Sequence, residues 1–207
     1  MDMVKAALRA VVRERPEIAD LLLRELLGGA LESGSTLEPE VASDEWVALD
    51  PAVDPDFVAR VGRGELLHLE FQGYPDLGFV DRLFRQHLSL VLRYPERAVG
   101  TVAVWLIRPP HAQRIEVIRR ERVMVHVASV VLSQVKASRL LAREETACFA
   151  AGADAEGWSH DELSDLVVAA LGRLRSSLSL RVAAIALAST CGRYDAMVRA
   201  FGAVDRS

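Results

Sequence analysis

Asp56, Glu70 and Gln72 are the residues whose types and spacing offer chemistry. Two carboxylates brought to one face of a hairpin are hard oxygen donors of the kind Mg²⁺ or Mn²⁺ takes. Such a cation fills its remaining positions with waters and a substrate phosphate oxygen. It can then polarise a phosphodiester and activate a water. Gln72 can orient that water or a phosphate oxygen, although an amide is a poor base. The Phe71 carbonyl is a further candidate metal ligand.

The elements that must position these groups lie in one stretch, DFVARVGRGELLHLEFQ, residues 56–72. Strand side chains alternate, so Leu67, Leu69 and Phe71 share one face and Leu66, His68, Glu70 and Gln72 the other. The preceding strand puts Phe57, Ala59 and Val61 on one face and Asp56, Val58 and Arg60 on the other. Gly62-Arg63-Gly64 suits a three-residue hairpin loop, because glycine reaches positive φ without steric cost. Val61 then pairs with Glu65, and Asp56 lies opposite Glu70. A one-residue slip would send Asp56 to the other face. A polar strand face is most often simply solvent-facing. Here, however, like charges opposed across a hairpin destabilise it, which calls for a compensating cation or another partner.

The chain has 207 residues, 51% hydrophobic, with a formal net charge of −4 at pH 7. That suits one domain, or a core with a modest extension, with apolar content ample for a buried core and against broad disorder. The acidic balance argues against a general DNA-coating role. The charge is uneven: residues 17–56 carry eleven acids and one base, Arg24, whereas residues 57–122 carry eleven arginines and seven acids. That distribution allows a locally positive surface around the hairpin inside an acidic protein. Lys5 and Lys136 are the only lysines. Cys148 and Cys191 form neither a disulfide framework nor a zinc pattern. No signal-type apolar run opens the sequence, and no uncharged stretch reaches the roughly 18 residues of a membrane helix. The expectation is a cytoplasmic protein with no membrane partner.

An apolar stripe predicts a helix over 3–14, and Pro16 starts a second that Gly28-Gly29 stops. Residues 30–55 read as a long acidic connection, with Trp46 to Leu49 as a short strand inside it. A helix is expected over 77–93, with Phe79, Leu83, His87, Leu90 and Val91 on one side. Val99 to Ile107 reads as a central strand buried on both faces. Ile115 to Ile118 and Val123 to Ala128 are further strands. Helices follow near 133–150, 161–176, 178–190 and 193–201, with Ser159 to Glu162 as an N-terminal cap. The fold class expected is α/β, with residues 1–128 as the core and 129–207 as a helical C-terminal extension packed on it.

The segment from Asp56 to Gln72 resembles the core of the PD-(D/E)XK nuclease superfamily. It is most similar to the recombination-promoting nuclease, transposase-like branch, in which an aspartate precedes a strand and a leucine-rich strand ends in E-x-Q. YPDLGFVDRLFRQHLSLVLRYPERAVGTVAVWLI continues the likeness, with a turn, an arginine-bearing helix and an apolar strand; residues 16–108 carry it. The resemblance implies a restriction-endonuclease-like mixed sheet flanked by helices and Mg²⁺- or Mn²⁺-dependent DNA cleavage. Asp56 then stands for the motif aspartate, Glu70 for the motif glutamate, and Gln72 occupies the usual lysine position. A helical glutamate often joins such sites, with Glu17, Glu25 and Glu32 as candidates. The alternative is a degenerate binding or assembly module that keeps the fold without the chemistry.

Arg82, Arg85 and Gln86 are candidate contacts to a phosphate backbone, weighed against a solvated helix face. His68 can touch substrate, with a hydrogen-bonded sheet histidine as the simpler reading. His87, His111, His126 and His160 lack zinc spacing. Gly28 to Ser35 lacks the lysine of a phosphate loop. The Leu- and Ala-rich helices from Asp161 to Ala200 read as core, with a homodimer face as the alternative.

Overall fold

The computed structural model describes residues 3–15, 17–18, 21–22, 25, 37–39, 55–61, 65–106, 115–173 and 178–205. Six strands make one mixed sheet: β1 Leu37–Pro39, β2 Phe57–Val61, β3 Glu65–Gln72, β4 Val99–Trp105, β5 Val117–Arg120 and β6 Val123–Val131. Their order is β1-β2-β3-β4-β6-β5. The β1–β2, β2–β3 and β5–β6 pairs are antiparallel, and β3–β4 and β4–β6 are parallel. Parallel neighbours need a crossover, and α2, Phe79–Arg93, supplies it between β3 and β4. The architecture is α/β, a mixed sheet flanked by helices with a helical C-terminal region. Among the described residues no helix is long and apolar enough to cross a membrane.

The two sheet faces differ in kind. Phe57, Ala59, Leu67, Leu69, Phe71, Val102 and Val104 point into a large apolar cluster. Helix α1, Met3–Glu14, docks there through Val4, Ala7, Leu8, Val11 and Val12. These five fall on one stripe because an α-helix repeats every 3.6 residues. The C-terminal helices α3 Ala137–Leu141, α4 Ala147–Ala150, α5 His160–Arg173, α6 Leu178–Thr190 and α7 Tyr194–Val204 complete this layer. The opposite face is covered by α2, whose buried residues are Phe79, Leu83, Gln86 and Leu90. Phe79 meets Trp105 edge to face, ring centroids 4.9 Å apart.

The β2–β3 register places Val61 opposite Glu65 and Phe57 opposite Leu69, as the period-two reading requires. The Gly62–Gly64 loop itself lies outside the described residues, as do the expected Trp46–Leu49 strand and Gly28–Ser35. Strand β1 falls in the stretch read as a loop. Strand β6 runs three residues beyond Ala128, and β5 begins at Val117 rather than Ile115.

The single helix expected over 133–150 is instead broken into short pieces. Val135 and Lys136 are extended because the chain pairs there with Asp154: Ala137 N–H donates to Asp154 O at 2.9 Å and Asp154 N–H to Val135 O at 2.8 Å. Thr146 then ends the next turn, its hydroxyl donating to Leu140 O at 2.7 Å. Ser159 and Glu162 form the expected capping box. Ser159 N–H donates to Glu162 Oε2 at 2.8 Å, and Glu162 N–H to Ser159 Oγ at 3.2 Å. Val91, expected inside, is 37% exposed, because the α2 stripe runs through Leu83, Gln86 and Leu90 instead.

Candidate functional site

Asp56 precedes β2 and Glu70 lies near the end of β3, so the antiparallel register brings them side by side. Asp56 N–H donates to Glu70 Oε1 at 2.7 Å, and Phe71 N–H donates to Asp56 Oδ2 at 2.8 Å. Both carboxylates are fully buried. A strand residue sends its N–H and C=O to the same edge, so the Phe71 carbonyl faces the Asp56 side as well.

Two buried carboxylates in contact need positive charge, and α1 provides it. Lys5 Nζ lies 3.1 Å from Asp56 Oδ2 and 3.1 Å from Glu70 Oε2. Arg9 Nε is 3.3 Å from Asp56 Oδ1. Spaced i and i+4, these cations share one side of the helix, flanking the stripe that seats α1 on the sheet. Burial and the Glu70 carboxylate raise the pKa of Asp56 above the usual carboxylate range, against the pull of Lys5, the Phe71 N–H and Arg9. Burial also acts to raise Glu70, but His68, Lys5 and the Asp56 N–H outweigh it and hold Glu70 below its ordinary value.

The other polar groups come from β3, β4 and α2. Gln86 Nε2 donates to Glu70 Oε1 at 3.1 Å. His68 Nε2 lies 3.6 Å from the same oxygen. Gln72 is held at both ends: Arg82 donates to its Oε1 at 3.0 Å, and its Nε2 donates to the Tyr74 carbonyl. Arg82 also pairs with Asp76 and lies over the Phe79 ring, 5.2 Å from its centroid. Of the nine buried polar side chains described, Asp56, His68, Glu70, Gln72, Gln86 and Thr101 make up this cluster, in which Asp56 is met by Lys5 and Arg9 of α1 and Glu70 by both Lys5 and Gln86 of α2.

Asp56, Glu70, Phe71 and Gln72 are thus brought together. Arg82, Arg85 and Gln86 do not form one contact surface. Gln86 is buried against Glu70 and Arg82 is engaged by Gln72 and Asp76, while Arg85 is exposed. Burial follows from the α2 stripe, on which Gln86 takes the place of an apolar residue. Neither described helical glutamate joins the site. Glu17 pairs with Arg15 at 2.8 Å, and Glu25 lies 3.6 Å from both Arg139 and Arg143. Glu32 and His111 lie outside the described residues.

Lys5, Arg9 and Thr101 are the site residues that sequence reasoning missed. Their signals were local but mute about destination: two cations at helical spacing beside an apolar stripe, and one hydroxyl in an apolar strand. The oxygen donors fit a hard divalent cation. Asp56 Oδ1 accepts no hydrogen bond among the described residues, although Arg9 Nε faces it at 3.3 Å, and Mg²⁺ commonly takes one or two protein carboxylates with waters completing its shell. No group of three or more acidic, histidine or cysteine side chains suited to a metal occurs among the described residues. Comparison of the chain with family models, curated proteins and solved structures returned no match.

Proposed function

We propose that this protein is a Mg²⁺- or Mn²⁺-dependent DNA endonuclease of restriction-endonuclease-like fold, in the recombination-promoting, transposase-like branch of the PD-(D/E)XK nucleases. The observation that carries this reading is the buried polar cluster centred on the Asp56–Glu70 pair. Sinking two carboxylates, a histidine, two amides and a hydroxyl into one cluster costs more than an apolar core would. Stability alone does not explain it, whereas a reaction centre needs it.

In this reading Asp56 and Glu70, with the Phe71 carbonyl, hold the metal. The bound metal supplies Lewis-acid polarisation of a phosphodiester and a water of lowered pKa. Lys5, beside both carboxylates, is placed to balance charge developing on the phosphate. Gln72, fixed by Arg82, orients a phosphate oxygen or the attacking water. Arg85 on the exposed side of α2 meets the DNA backbone. Plasmid nicking in Mg²⁺ or Mn²⁺ tests the assignment: wild type nicks and Glu70→Ala does not. Equal nicking by both overturns it.

The geometry also favours a second reading, a binding or assembly module that has lost the chemistry. Lys5 and Arg9 already neutralise both carboxylates at 3.1–3.3 Å. Calorimetric titration with Mn²⁺ separates the two. Binding that disappears in Asp56→Ala supports the nuclease, and no binding by wild type supports the module.

A further inference from the structure

A line of side chains runs from Glu70 across the sheet to α2. His68 on β3 is paired with Thr101 on β4, so the two side chains share the α2 face. His87 of α2 lies over them, its Nδ1 2.9 Å from Thr101 Oγ1. Thr101 Oγ1 is 3.5 Å from His68 Nδ1, and His68 Nε2 is 3.6 Å from Glu70 Oε1. His68 and Thr101 are buried, while His87 is half-buried.

The chemistry of these groups sets the direction of the chain. An ionised carboxylate only accepts, so His68 must carry its proton on Nε2 to bond Glu70. In the neutral ring Nδ1 then accepts, and Thr101 must donate to it. The threonine hydroxyl has one proton, so toward His87 it can only accept, from Nδ1–H. Burial holds the His87 pKa below its ordinary value, which suits a neutral ring with that single proton. The end of the chain falls on a particular oxygen. Glu70 Oε1 already accepts from Asp56 N–H at 2.7 Å and Gln86 at 3.1 Å. His68 Nε2, buried and without a hydrogen-bond partner among the described residues, faces the same oxygen at 3.6 Å and is placed to become its third donor. Oε2 is left facing the cation side, where Lys5 Nζ lies at 3.1 Å.

We infer that His87, Thr101 and His68 are positioning residues that pin Glu70 Oε1 and aim Oε2 at the bound divalent cation. This rests on the reading of Asp56 and Glu70 as metal carboxylates. Partners behind a metal ligand commonly change metal affinity by about 10–100-fold. The two longer links tighten on binding, as such contacts do in ligand-free sites.

The test is Mn²⁺ calorimetry on the full chain, with melting temperature measured alongside. Thr101→Val removes the hydroxyl at nearly unchanged shape and weakens Mn²⁺ binding by about tenfold or more. Thr101→Ser, which keeps the hydroxyl, binds as wild type. His87→Phe cuts the same line from the half-buried end, without disturbing the buried row, and gives a similar loss. The double variant is no weaker than Thr101→Val, because the chain is already cut. Wild-type affinity in a folded Thr101→Val or in His87→Phe overturns the positioning role and leaves the metal site standing. No Mn²⁺ binding by the wild type overturns the reading of the acid pair, and this role with it.

Discussion

Lys5 holds the charge balance of the buried pair. Lys5→Met keeps the aliphatic stem and removes the cation, leaving Arg9 alone to offset two carboxylates. The expected loss is about 3 kcal/mol, read by urea denaturation at neutral pH. If the acid pair holds a metal, millimolar Mn²⁺ recovers part of that loss. An unchanged denaturation midpoint would show that the cation contributes nothing. Asp76 is a milder case. Hydrogen bonding to Arg82 and the Gly78 N–H holds its carboxyl below the usual range against the opposing effect of burial. A depressed folded pKa makes the carboxylate stabilising above its unfolded pKa of about 3.9, and that stability is lost as pH falls through the folded value. The stability difference between wild type and Asp76→Asn is therefore flat above about pH 5 and collapses on acidification. Partial exposure of the pair keeps it under about 1 kcal/mol. A difference that grew on acidification would contradict the sign.

At the scale of elements, α1 and α2 act as two hands on the sheet. Helix α1 places Lys5 and Arg9 only because its apolar stripe is seated, and Leu8 at its centre is fully buried. Leu8→Ala is expected to cost about 2–5 kcal/mol, measured as a shift of the denaturation midpoint. A cost below about 1 kcal/mol would mean that α1 is not firmly docked. Helix α2 brings Gln86, His87 and Arg82 over the end of β3, because a parallel β3–β4 pair requires the crossover to lie on one sheet face. The turn before it is held by Asp76, whose Oδ1 accepts from Gly78 N–H at 2.8 Å.

On the scale of the whole molecule, one apolar cluster joins α1, the strands and the C-terminal helices. The fold should therefore unfold as one unit. Cys148 and Cys191 report on this, since both are buried in that cluster or at its margin. Burial pushes the Cys148 thiol up to about 12, so it is protonated and inert at neutral pH. A thiol reagent should label neither cysteine until the chain unfolds, with both labelling at the global unfolding rate. Fast labelling of Cys148 in the native protein would show that the helical region opens separately.

The sequence by itself determined what depends on neighbours along the chain. Period two sorted β3 into an apolar and a polar face, and a three-residue loop set Val61 against Glu65, which puts Asp56 beside Glu70. The 3.6-residue stripe located α1 and α2, and an unbroken apolar run marked β4. Local rules failed where a distant segment intervened. Pairing with Asp154 broke the helix expected over 133–150, and α2 drew Gln86 inward from a face read as solvated. Only the tertiary structure decided which charges meet the acids. Lys5 lies 65 residues from Glu70 in the chain, and no propensity or spacing couples positions so far apart. The contact exists because hydrophobic burial seats α1 against the sheet, and its two cations follow.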